Sequence, residues 1–245
     1  MAGHSHWANI AHKKAAIDKK RGRLFSKLAR KIIAAAKQGG GEPATNLKLK
    51  YAVQKARAAN MSNDQIERAI RRAVGGIDAD SYEELVYEGY APGGTAVLIE
   101  ALTDNRNRTG GEMRSIFTKR GGNLGTSGSV AWQFDRLAVI RVPRDGTTED
   151  DVMLAVLEAG AREIEKDDGF FEVHGAADAL QGLQDALDGA GIEYTSADVA
   201  YVPQEFVPMD EETARKVAAL LEALEENDDV QNVYSNGEFP EGFEV

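Results

Sequence analysis

Residues 137–202 read LAVIRVPRDGTTEDDVMLAVLEAGAREIEKDDGFFEVHGAADALQGLQDALDGAGIEYTSADVAYV. Apolar alternation from Leu137 to Val142 predicts a strand, and the helical spacing that follows predicts a helix near Glu149 to Ala159. Strands near Arg162 to Lys166 and Phe170 to His174, a helix near Ala177 to Ala190 and a strand ending at Val202 complete the stretch. The order β-α-β-β-α-β is the ferredoxin-like pattern, a two-layer α+β unit. Such a unit closes on itself, so it can sit as an insertion within its neighbour.

The flanking sequence supplies that neighbour. Glu84 to Gly89 and Thr95 to Thr103 read as a hairpin around the Pro92, Gly93, Gly94 turn. A helix carrying Met113, Ile116 and Phe117 follows, with a polar start at Asp104 to Thr109, and then a loop punctuated by Gly121, Gly122, Gly125 and Gly128. That loop lacks the Gly-Lys-Ser/Thr ending of a nucleotide P-loop, so it reads as turns and close backbone approach. Beyond the unit, Asp210 to Glu226 predicts a helix with Val217, Leu220, Leu221 and Leu224 inward, and Val230 to Tyr234 predicts a strand. The expected division is 78–134 plus 204–245 for one α+β domain and 135–203 for the domain inserted in it. Glu222, Glu225, Glu226, Asp228 and Asp229 read as a solvated helix end.

Upstream, charge rather than periodicity is the informative feature. Residues 1–72 hold seventeen Lys and Arg against four acids, while the remainder holds twelve against thirty-six, so the formal net charge of −11 sums two opposed halves. A basic segment of this size attracts a polyanion, because each cation seated on a phosphate releases a condensed counterion. Residues 1–21 carry Trp7, Lys13, Lys14, Lys19, Lys20 and Arg21 with few large aliphatics, which reads as an arm. There Trp7 could stack on a base while the cations sit on phosphates. Three helices follow: Arg23 to Gln38, ended by Gly39, Gly40 and Gly41; Asn46 to Ala59, with Lys48, Tyr51 and Lys55 on one outer line; and one opened by a capping box of Ser62 with Gln65. Arg23, Lys27, Arg30, Lys31, Lys48, Lys55, Arg68, Arg71 and Arg72 are the candidate phosphate contacts on this bundle, residues 1–77 with the arm. Arg106 and Arg108, beside a helix N-terminus, form a candidate second anion site.

Cysteine is absent, which removes disulfides, thiolate metal sites and cysteine nucleophiles together. No apolar run approaches the roughly 20 residues needed to span a bilayer, and the reading is a soluble cytoplasmic chain without a membrane partner. His4, His6 and His12 lack nearby carboxylates at ligand spacing, so no metal is expected from them. For catalysis the candidates are Asp104, Glu100 and Glu112 as an acidic cluster, or His174 as a lone base. Neither makes a nucleophile, base and orienting partner, so no enzyme, cofactor or small-molecule substrate is expected.

Several blocks resemble the YebC family, which includes bacterial proteins and a mitochondrial translational activator of cytochrome oxidase. They are MAGHSHWANIAHKKAAIDKKRG at the start, NMSNDQIERAI, YEGYAPGG, LTDNRNRT, GGNLGTSGSVAWQF and the closing VYSN. His6 departs from the Lys expected in the opening block. The resemblance implies three domains around a cleft, no enzymatic activity, and a DNA-binding transcriptional regulator. It also implies a role in translation, on ribosomes stalled at difficult residues such as consecutive prolines. The expected fold class is therefore α+β and multi-domain: a basic N-terminal three-helix bundle plus two α+β (ferredoxin-like) domains, the third inserted in the second. The expected function is nucleic-acid binding by a monomer, with DNA as partner and ribosomal RNA as the alternative.

Overall fold

The structure, a computed structural model, describes residues 17–75, 82–167 and 169–243, with the side chains of residues 17–21 and 167 outside that description. It is α+β and multi-domain. The N-terminal bundle consists of α1 (Ile17–Gly39), α2 (Leu47–Ala58) and α3 (Asn63–Val74). Helix α1 begins within the segment read as an arm: Ile17 to Arg21 contain no breaker and are mostly good helix formers, so the helix extends N-terminal to its apolar stripe. Leu28, Ile32, Leu49, Val53, Ala56 and Ile66 fill the bundle core. The elbow between α1 and α2 turns on Asn46. Its Oδ1 accepts from Leu49 N–H at 3.1 Å, while its Nδ2 donates to the carbonyls of Ala35 and Gly40, both at 2.8 Å. A Cβ on Gly39 would meet that amide at 2.7 Å, which is why glycine sits there. Ser62 and Gln65 form the capping box that opens α3.

The central sheet has strand order β3-β1-β2-β9, built from β1 (Glu83–Tyr90), β2 (Ala96–Thr103), β3 (Asn123–Leu124) and β9 (Val230–Ser235), all pairing antiparallel. Helices α4 (Arg106–Lys119) and α7 (Glu211–Glu225) cover one face, where Met113 and Phe117 meet Val217, Leu220, Leu221 and Ile99. A short parallel pair, β8 (Val207–Pro208) with β10 (Gly237–Glu238), lies beside it.

The inserted sheet has order β5-β6-β4-β7, from β4 (Phe134–Pro143), β5 (Ala161–Asp167), β6 (Phe170–Ala176) and β7 (Ser196–Pro203). Helices α5 (Glu149–Val156) and α6 (Leu180–Gly189) pack on Ile140, Val142, Phe171 and Val173. The connectivity β4-α5-β5-β6-α6-β7 is the ferredoxin-like order. The uncovered faces of the two sheets meet, with Leu98 and Tyr234 of one packed against Val139 and Ala200 of the other, and Tyr201 edge-on to Tyr234 at 5.4 Å. The result is helices, sheet, sheet, helices, with the basic bundle docked alongside.

Candidate nucleic-acid interface

Three of the cations expected to meet phosphate lie on one face of α1, at positions 23, 27 and 30. There they meet the end of α7 and the turn after it. Arg23 pairs with Glu226 at 2.8 Å, and Lys27 Nζ donates to the Glu225 carbonyl at 2.6 Å. Arg30 Nη1 donates to the Asp228 carbonyl at 2.7 Å and to Asp229 Oδ1 at 2.9 Å. A helix C-terminus presents unsatisfied carbonyls and negative partial charge, so cations aimed along its end are well placed. Burial lowers the Lys27 ammonium pKa, against the opposing pull of Glu225 and Asp228.

The turn after α7 therefore differs from the solvated helix end expected of it. Asp229 is buried. Its Oδ2 accepts from Arg108 Nη2 at 2.7 Å, Thr109 Oγ1 at 2.7 Å and Thr103 Oγ1 at 3.2 Å. Burial alone would raise its carboxyl pKa, yet the Arg108 and Thr109 hydrogen bonds and the Arg108 charge hold it below the usual range. Arg108 also meets Asp104 at 2.8 Å, so the anion at this helix start is supplied by the chain itself. Arg106 is exposed. Beside this knot, Arg23, Arg30, Asp104, Arg108, Glu112 and Asp229 help line a cleft of about 440 Å³.

Helix α2 docks in the same manner. Tyr51, expected on an outer line, packs on the core of the inserted unit, Lys55 pairs with Asp198 at 2.9 Å, and Lys50 donates to Gln181 at 2.9 Å. Lys48 pairs with Glu84 at 3.4 Å. Lys31 is partly buried, and burial together with Lys55 lowers its pKa.

Of the exposed cations among the bundle's described residues, Lys37 lies on α1, Lys48 and Arg57 on α2, and Arg68, Arg71 and Arg72 on α3. Arg68 is paired with Asp64, while Arg71 and Arg72 are exposed and make no ion pair among the described residues. Lys19, Lys20 and Arg21 lie on α1, but their side chains fall outside the described residues, as do Trp7, Lys13, Lys14 and the histidines at 4, 6 and 12 altogether. The acidic residues weighed as catalytic each have a separate partner: Glu100 accepts from Asn232 at 2.7 Å and Tyr234 at 2.9 Å, Asp104 from Arg108, and Glu112 from Asn227 at 2.7 Å.

One organising carboxylate escaped the sequence reading. Glu88, buried on β1, accepts from the backbone N–H groups of Gly128 at 2.7 Å and of Val130 and Ala131, both at 2.8 Å. It thereby fixes the glycine-rich loop, whose Trp132 is left exposed. Burial raises its pKa and these three donors lower it, with a net lowering. The only local signal was an acid in a strand, between two glycine-rich segments.

A family model described as the TACO1/YebC protein N-terminal domain matches residues 5–76, and one described as the TACO1/YebC second and third domain matches residues 82–237. A "Probable transcriptional regulatory protein" of Treponema denticola is 52% identical over 245 residues, covering 100% of this chain and 99% of its own. A protein of the same name from Rubrobacter xylanophilus is 51% identical, covering 98% and 97%. A crystal structure of a conserved hypothetical protein from Aquifex aeolicus superposes with a TM-score of 0.87 at 45% identity, covering 96% of this chain and 98% of that one.

Proposed function

This chain belongs to the TACO1/YebC family, and from that premise we propose that it is a non-enzymatic regulator of gene expression that binds nucleic acid through its basic N-terminal segment. The observation that carries this is the division of charge: seventeen Lys and Arg against four acids in residues 1–72, followed by a strongly acidic remainder. Such a remainder repels a polyanion, so contact is confined to one end of the molecule. The names of the bacterial relatives support the regulatory part of the reading. The phosphate contacts are assigned to the segment ahead of α1 and to the exposed arginines of α3. The cations at 23, 27, 30 and 55 are held by acids and carbonyls of the body, so a phosphate must displace those partners to reach them. DNA is the proposed partner, in the cytoplasm, with the protein a monomer. Among the described residues no helix is long and apolar enough to cross a membrane.

The test is salt-dependent binding of the full chain to duplex DNA and to structured ribosomal RNA, compared with Arg71→Glu/Arg72→Glu and with a chain lacking residues 1–21. On duplex DNA log affinity falls against log salt by about 0.9 per phosphate neutralised, so loss of two contacts lowers the slope by about 2. A duplex bound well above random DNA supports transcription. Tighter binding of ribosomal RNA, lost with residues 1–21, moves the reading to translation. Binding to neither, or a slope that both variants leave unchanged, overturns it.

A further inference from the structure

On the face of the inserted sheet turned away from α5 and α6, carboxylates gather around its one histidine. Strand β5 is an edge strand, and its pairing with β6 slips between Ala161, opposite Gly175, and Glu163, opposite His174. The irregularity turns both Ala161 and Ile164 toward the helices, while Glu163 and Glu165 project from the other face with Glu172 and His174. His174 is only 3% exposed and Glu172 only 1%. His174 Nε2 lies 3.0 Å from Glu172 Oε1; in the neutral imidazole, the form that binds a metal, this contact places the proton on Nε2 and leaves the lone pair on Nδ1. Nδ1 makes no hydrogen bond among the described residues, and its nearest acidic oxygen, Glu165 Oε1, is 3.9 Å away. One ligand atom from each of Glu163, Glu165 and His174 lies within 4.8 Å of the others. Arg141 Nε, 3.8 Å from Glu172 Oε2, is the cation recorded beside the group.

We infer that Glu163, Glu165 and His174 form a site for a divalent first-row transition metal of the zinc class, with Glu172 as the positioning carboxylate behind the imidazole. A carboxylate hydrogen-bonded to the far ring nitrogen is the usual support of a metal-bound histidine, because it fixes tautomer and ring orientation. One imidazole nitrogen and two carboxylates suit zinc or manganese, whereas magnesium and calcium favour all-oxygen sets. Three protein ligands at a sheet edge leave further coordination positions to water or to a ligand. The site gives the acidic half of the chain a binding chemistry of its own, independent of any nucleic acid.

The experiment is isothermal titration of Zn2+ into the full chain carrying His4→Ala, His6→Ala and His12→Ala, which removes the competing imidazoles of the N-terminal segment. The expected result is one ion per chain, retained in about a 100-fold excess of Mg2+ and accompanied by a zinc-dependent rise in unfolding temperature. Glu163 and Glu165 are exposed and half-buried, so Glu163→Gln/Glu165→Gln should fold with unchanged circular dichroism and lose both the ion and the temperature rise. Glu172→Gln should weaken binding about 10- to 100-fold. Absence of zinc binding, or a stoichiometry that Glu163→Gln/Glu165→Gln leaves intact, overturns the inference.

Discussion

Asp229→Asn should be among the most damaging single-atom changes available in this protein. The carboxylate takes one hydrogen bond from Arg30 on the bundle and three from Thr103, Arg108 and Thr109 on the central domain. An amide keeps one acceptor oxygen and turns the other position into a donor, which then points either at Arg30 or at three groups that are themselves donating. Breaking a buried ion pair costs about 3–5 kcal/mol. That figure needs discounting, because the Arg108 side chain is 43% exposed and retains Asp104. A net loss of about 2–3 kcal/mol is expected, or roughly 5–10 °C in unfolding temperature for a chain of this size. The sign with pH is fixed by the depressed carboxyl pKa: the contribution is complete above the ordinary aspartate value near pH 4 and is lost as pH falls through the lower folded value. Urea unfolding of the two proteins at pH 7 and near pH 3 measures both. A difference under about 0.5 kcal/mol at pH 7, or one that persists undiminished in acid, would refute the reasoning.

Glu88→Gln should cost about 1.5–3 kcal/mol, the range for hydrogen bonds to a charged group, and should raise protease cleavage within residues 121–131 before global unfolding. An unaltered cleavage pattern would show that the loop holds itself. Gly89→Ala places a Cβ 2.7 Å from both the Phe117 ring and the Asn123 carbonyl, so about 1–3 kcal/mol of overpacking should appear in chemical denaturation. Lys55→Ala, by contrast, removes a pair whose side chains are 37% and 40% exposed, and stability should move by no more than about 1 kcal/mol.

What could be read from sequence was what local pattern encodes. The helical stripe of Val217, Leu220, Leu221 and Leu224, the capping box at Ser62 and the strand-helix order after Leu137 all depend on neighbours a few residues apart. Helix ends were less legible: α5 stops at Val156 rather than near Ala159, and α6 starts at Leu180 after a short 3-10 turn at 177–179. The candidate interface was legible as composition only. That Arg23 meets Glu226, two hundred and three residues away, leaves no trace in either segment, since a salt-bridged arginine and a solvated one look alike in a helix pattern. Tyr51 and Lys55 were placed outward because period alone assigns one buried face per helix, whereas α2 is packed on two sides.

The strand order β3-β1-β2-β9 also has a consequence for how the chain is made. Leu98 pairs with Tyr234, so one side of β2 stays an unpaired edge until synthesis has passed residue 234. At roughly 5–20 residues per second that interval is on the order of ten seconds or more. During it the inserted unit, complete by residue 203, has everything it needs to fold, while Val97, Leu98 and Ile99 wait for their partner strand. A chain that terminates early thus yields a sound inserted unit attached to an open, apolar sheet edge, and quality control would meet that edge first.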